Sequence, residues 1–289
     1  MKKLSILFLL ITANTLLFAK QEATVSDVLL QTVTYNDVTC LAVKFNVSLK
    51  YSLNDLLQQG DSCDKYLLEV LFKDTKFIGT TKGYGLYQNE KGFVKAGMPL
   101  LLSNNVRVFD NLTLYIPLAA LDLEEGPQTI SPVFSLADKQ NHTIADNLSA
   151  GKFTITIPQK INLRISVKDI TVAETDNRGE FWDYFFVDAN AGKPEVCWSV
   201  LLATKKINGS PYAKDSYQYA DPDGKDDVEF TICKNDIFYL NVYDYDMMSF
   251  SDEVGSLRID MNEMEKFSGS NFTTRFGKVL KMNFIITIL

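Results

Sequence analysis

Tyr243-Asp244-Tyr245-Asp246-Met247-Met248-Ser249-Phe250-Ser251-Asp252-Glu253-Val254-Gly255 sets three aspartates around an apolar tip. The residues on either side, Ile-Phe-Tyr-Leu-Asn-Val at 237–242 and Ser-Leu-Arg-Ile at 256–259, read as short strands. Asp244 and Asp246 lie two apart at a strand end, which sends both side chains to one face. Asp252 returns six residues later, before Gly255 opens the next strand. Carboxylates about 4 Å apart repel by roughly 4 kcal/mol per pair at an effective dielectric of 20. A hard cation such as calcium, which takes about 6–8 oxygen ligands, relieves that repulsion. The pattern therefore makes this loop between two strands a candidate metal site, to be weighed with a second acidic loop.

A second acidic loop lies upstream: Glu174-Thr175-Asp176-Asn177-Arg178-Gly179-Glu180-Phe181-Trp182-Asp183-Tyr184. Strand-like runs at 163–172 and 184–188 bracket it, and further runs follow at 196–203, 228–233 and 279–289. Only 261–267 reads as a helical turn in this half. Two acidic loops meeting at one end of a sandwich supply five aspartates, Asp176, Asp183, Asp244, Asp246 and Asp252, without a contiguous motif. Ser249 offers a hydroxyl, and the carbonyls of Trp182, Tyr245 and Phe250 offer further oxygens.

These loops resemble two of the calcium loops of C2 domains, the calcium-dependent phospholipid-binding β-sandwiches. The family's third loop runs Asp-x-Asp, a Ser three residues on, an Asp three further, then x-x-Gly. Asp244, Asp246, Ser249, Asp252 and Gly255 hold those places here. Asp176 and Asp183-Tyr184 are similar to the first loop, with Tyr184 where the family often has Pro. Asp221-Pro222 and Glu229-Phe230 are similar to its second-loop stretch. The resemblance covers residues 159–289 and implies bound calcium. It also implies contact with an anionic phospholipid surface through Met247, Met248, Phe250 and Trp182, at places where C2 domains insert side chains into lipid. Asp221–Asp227 resembles an EF-hand only in part, with its Gly two places early, and is read as a turn.

Residues 20–158 carry strand-like runs at 38–49, 66–73, 106–109, 112–117, 129–137 and 152–157, with a short helix at 52–59. Phe153, Ile155 and Ile157 alternate onto one face, as in a half-buried strand. Pro158 cannot donate to a ladder, so the boundary between two domains is placed there. The expected fold class is all-β: two β-sandwich domains, the second C2-like. The linker is short, so the two are expected to pack closely.

Met1-Lys2-Lys3 and the apolar run that ends at Ala19 read as a signal peptide, residues 1–19. A secreted or periplasmic protein, peripheral on a membrane, is the expectation. In that setting four cysteines, Cys40, Cys63, Cys197 and Cys233, invite disulfides. One pair in each half is the simplest of three connectivities, and spacing does not choose among them. Lys and Arg number 29 against 36 Asp and Glu, a net −7, with 15 against 21 from Gln159 onward. That charge excludes a nucleic-acid partner, which needs a basic footprint. His142 is the only histidine and sits in a polar stretch, so no His-based triad or His-rich metal site is expected, and the chain reads as a non-enzyme. The first domain's partner is read as a protein or a glycan, on no specific motif.

Overall fold

The computed structural model describes residues 22–58, 64–140, 142–176, 178–179, 182, 193–203, 205–209, 216–221, 223–245 and 252–289. The expected leader at 1–19 and the expected strand at 184–188 lie outside them.

The strands of the first half are β1 (Ala23–Tyr35), β2 (Val38–Leu49), β3 (Lys65–Lys73), β4 (Lys95–Leu101), β5 (Val108–Pro117), β6 (Gly126–Ala137), β7 (Thr143–Ser149) and β8 (Phe153–Ile157). Those of the second half are β9 (Lys160–Val172), β10 (Val196–Leu202), β11 (Lys205–Gly209), β12 (Gln218–Ala220), β13 (Val228–Cys233), β14 (Phe238–Asp244), β15 (Asp252–Ile259), β16 (Phe272–Phe276) and β17 (Val279–Ile288). Two short helices, α1 (Leu53–Gln58) and α2 (Met261–Phe267), lie in connections. None of the described helices is long and apolar enough to cross a membrane.

The first half stacks a sheet ordered β1-β2-β5 on one ordered β4-β3-β6-β7, with β8 also on β6. Phe45 of β2 and Phe134 of β6 meet across that gap with ring centroids 4.9 Å apart. The second half stacks β11-β10-β14-β15 on β12-β9-β17-β16, with β13 also on β9. Phe230 of β13 and Phe238 of β14 meet edge to face at 5.3 Å. Among the described residues no sheet crosses Pro158-Gln159: β8 pairs β6 before it, and β9 pairs β12, β13 and β17 after it.

The halves share one continuous set of buried apolar side chains. In β2 the odd-numbered Leu41, Val43, Phe45 and Val47 fill the first sandwich. The even-numbered Val38, Cys40 and Ala42 point the other way, as the alternation of a strand requires, yet are as buried, while Lys44 on the same face is exposed. The second half contributes to covering them. Asn36 and Asp37 both have positive φ (46° and 64°), the signature of a two-residue hairpin turn, and this β1–β2 tip docks on the turn before β14. There Asp37 accepts at its carbonyl from the Ile237 N–H (3.0 Å) and at Oδ2 from the Tyr239 hydroxyl (2.9 Å). Tyr84 donates its hydroxyl to the Thr231 carbonyl at 2.6 Å, and Lys82 pairs with Glu229. Gly83 lies against Phe230 so closely that a Cβ would stand 2.5 Å from the Phe230 Cβ.

Pairing of Cys197 with Cys233 is overturned by this topology. Cys197 lies opposite Tyr243 at the far end of β14, whereas Cys233 closes β13, just before β14 begins. The length of β14, about 3.3 Å per residue, separates them, and a disulfide needs Cα atoms within about 4.4–6.8 Å. Cys40, Cys197 and Cys233 are buried thiols without a disulfide. Cys63 lies outside the described residues.

Candidate functional site

β9 runs toward one end of the second sandwich and β10 runs back from it, so residues 173–176 and 193–195, which follow β9 and precede β10, sit at that end. β14 and β15 close a hairpin there across 245–251. Backbone hydrogen bonds tie the roots of these loops together. The Ala173 N–H donates to the Lys278 carbonyl (2.9 Å) and the Lys278 N–H to the Val254 carbonyl (2.8 Å). The Val172 N–H donates to Tyr217, and the Tyr245 N–H to Glu195, at 2.9 and 3.1 Å. The opposite end, with Asp236 and Ile237, holds the first sandwich. The described roots of both acidic loops therefore stand at the end remote from the contact between the halves.

Within the hairpin, the β14–β15 register sets Asp244 directly opposite Asp252. Val254 is the extra residue of a bulge: Val242 pairs with Gly255 while Tyr243 pairs with Glu253. Gly255 has a packing reason of its own, because a Cβ there would stand 2.9 Å from both the ring and the carbonyl of Phe276. Asp244 is fully buried and its Oδ1 accepts the Glu195 N–H at 2.6 Å, which fastens the start of β10 to the end of β14. Asp252 is exposed. Like charges directly opposite on neighbouring strands are destabilising without a counter-cation.

Asp176 is buried at the root of the first loop. Its Oδ1 accepts the Arg178 N–H at 2.8 Å, and its Oδ2 faces the Arg178 guanidinium at 3.1 Å. That carboxylate is thus already met by a cation of the protein itself. Asp183, Asp246 and Ser249 lie outside the described residues, as do Met247, Met248 and Phe250. Among the described residues no three His, Cys, Asp or Glu side chains gather as a metal group.

Trp182, expected at a lipid-facing tip, is turned inward. It is only 8% exposed, and its indole N–H donates to the Ala173 carbonyl at 2.8 Å. An aromatic ring with a polar edge is satisfied by this arrangement, apolar body packed and N–H bonded to the chain.

The remaining charged groups singled out in the sequence have structural partners. Asp221 is buried and accepts from the Lys225 and Asp226 N–H groups at 3.0 and 2.8 Å, making the turn between β12 and β13. Glu229 pairs with Arg164 at 2.6 Å as well as with Lys82, and these partners lower its pKa, Lys82 most. Lys205 stands over the Tyr87 ring at 4.7 Å, and Lys206 donates to the Tyr243 hydroxyl at 2.5 Å. His142 is exposed beside Asp138 at 3.0 Å.

Two features escaped the sequence reading. Glu195 supplies the N–H that holds Asp244, and its place just before a strand was the only local signal. A cleft of about 290 Å³ also opens between the halves, lined in part by Tyr35, Tyr115, Tyr87, Lys95 and Lys205. Tyr35 and Tyr115 stack at its edge with centroids 4.0 Å apart. They come from β1 and β5, which only the sheet order brings to either side of β2.

No family model matches the chain, and no curated protein matches it. Among solved structures, it is similar to one titled "Structure of a C2 domain", at 14% sequence identity and a TM-score of 0.31. The match covers 44% of this chain and 97% of that one.

Proposed function

We propose that the acidic end of the second sandwich binds calcium, and that calcium-loaded loops dock this exported protein on an anionic phospholipid surface. The register that sets Asp244 opposite Asp252 at the root of the 245–251 loop carries the reading. Two aspartates on opposite strand positions, at the end where the first acidic loop is also rooted, are hard oxygen donors of the kind such a cation takes. Asp246 and Ser249 fall between them in sequence and complete the donor set, with Asp183 from the other loop. Asp176 joins the set on release from Arg178. Calcium supplies the positive charge that lets an acidic tip approach acidic headgroups. Met247, Met248 and Phe250 add apolar contact, each contributing about 1.5–3 kcal/mol if fully buried. No catalytic role is proposed.

Co-sedimentation with vesicles containing phosphatidylserine tests the docking. The protein is expected to pellet with calcium and to stay in solution with chelator, and Met248→Ser is expected to weaken pelleting. Equal pelleting in both conditions would remove calcium-dependent docking.

The inward-turned Trp182 favours a second reading, in which calcium rigidifies the loops and the partner is a protein or glycan. The stacked Tyr35 and Tyr115 at the cleft edge offer an aromatic face of the kind sugars pack against. Calcium binding without vesicle binding would favour it.

A further inference from the structure

The remote end of the second sandwich does not account for a buried cluster at the other end, where the halves meet. Cys233 closes β13, and the strand's alternation turns it, with Glu229 and Thr231, away from the core that Val228, Phe230 and Ile232 fill. Cys40 is likewise turned out of the first sandwich, between Val38 and Ala42. Each thiol leaves its own core, and each is 1% exposed because it lies in the contact between halves. One carboxylate joins their backbones: Asp236 accepts the Thr39 N–H at Oδ1 (2.7 Å) and the Cys233 N–H at Oδ2 (2.9 Å). Cys40 is the next residue after Thr39. We propose that Cys40 and Cys233 form a single oxidisable dithiol, and that two-electron oxidation closes a disulfide between the two sandwiches.

The chemistry is thiol–disulfide exchange with a low-molecular-weight disulfide such as oxidised glutathione. One cysteine thiolate attacks the oxidant's S–S bond, forming a mixed disulfide and releasing one glutathione thiolate. The second cysteine thiolate attacks the protein sulfur of that intermediate, forming the Cys40–Cys233 bond and releasing the second glutathione. Two protons pass from the cysteines to the two departing thiolates, and the oxidant takes up the two electrons.

The closed interface resists this reaction. Burial pushes the Cys40 thiol up to about 12, and burial followed by the Asp236 charge pushes Cys233 up as well. Exchange needs thiolate and access, so it proceeds as the chain folds or as the halves part. A disulfide formed then is shielded from reductant by the same packing.

The full chain, refolded in a mixture of reduced and oxidised glutathione, is alkylated, digested without reduction and mapped by mass spectrometry. A peptide joining Cys40 to Cys233 is expected, abolished by Cys233→Ser and retained in Cys197→Ser. The oxidised wild type is expected to melt several degrees above the same protein refolded in the presence of reductant. Alkylation of both Cys40 and Cys233 after oxidative refolding, or linkage of either to Cys63 or Cys197, would overturn the proposal. If Cys233→Ser fails to fold, the wild-type peptide map alone decides.

Discussion

Asp236 concentrates the energetics of the contact between halves in one side chain. It is 1% exposed, and its two oxygens answer two backbone N–H groups from different sandwiches. Asp236→Ala leaves both donors without that acceptor, at about 1–3 kcal/mol each; urea unfolding is expected to show a loss of that order. Burial holds the carboxyl above its ordinary value. The folded state therefore keeps the proton more tightly than the unfolded chain. This contribution is fully present below the unfolded value of about 3.9 and is lost as pH rises through the raised folded value. Asp236→Asn is expected to flatten that slope in stability measured against pH, even if the variant is weaker overall. Gly83 makes a second demand. Any side chain there meets Phe230, so Gly83→Ala is expected to lower the melting temperature by prying the halves apart. At the remote end, Asp244→Asn keeps an oxygen for the Glu195 N–H while removing the charge. Its melting temperature without calcium is expected to stay near that of the wild type, with the calcium-induced rise lost.

At the scale of elements, the β14–β15 register sets Asp244 opposite Asp252, and a cation that bound there only in the folded form would stabilise the protein. Calcium at 100 times its dissociation constant would contribute about 2.7 kcal/mol; a thermal melt is expected to rise with calcium and fall back with chelator. No shift would leave the Asp244–Asp252 juxtaposition without its cation. Elements with a clean local pattern were legible in the sequence: 38–49, 228–233 and 261–267 were read with the bounds observed for β2, β13 and α2. The α2 boundary has a visible cause, a capping box in which Asp260 and Glu263 answer each other's backbone N–H groups. Strands interrupted by a left-handed residue or by Gly and Pro were not legible. β1 holds Asp27 at φ 52° where its register shifts, and β7 holds Asn147 at φ 54°. β4 carries Gly97 and Pro99, tolerable because it lies at the edge of its sheet. The runs read separately at 106–109 and 112–117 join in β5, which passes Asn111 at φ 56°. At the candidate site, aspartate spacing was legible because a hairpin aligns what flanks its loop. The inward turn of Trp182 was not, because its acceptor at Ala173 lies a loop's length away.

Across the whole molecule, the two sandwiches carry opposite tasks at opposite ends of the second one. One end is buried against the first half by contacts between residues about two hundred positions apart, such as Tyr239 with Asp37. No local pattern announces such pairs, so the sequence foretold close packing only from the short linker. With buried side chains continuous between the halves, calorimetry is expected to show one cooperative melting transition. Two well-separated transitions would mean the halves fold independently. At the other end lie Asp244, Asp252 and Asp176, the described roots of the acidic loops to which a calcium-binding role is proposed. The most direct measurement of that role is isothermal titration of calcium into the wild type and into Asp246→Asn. Saturable heat from the wild type, much reduced or absent in the variant, is the expected result; equal heats from both proteins would contradict a calcium site built on these aspartates.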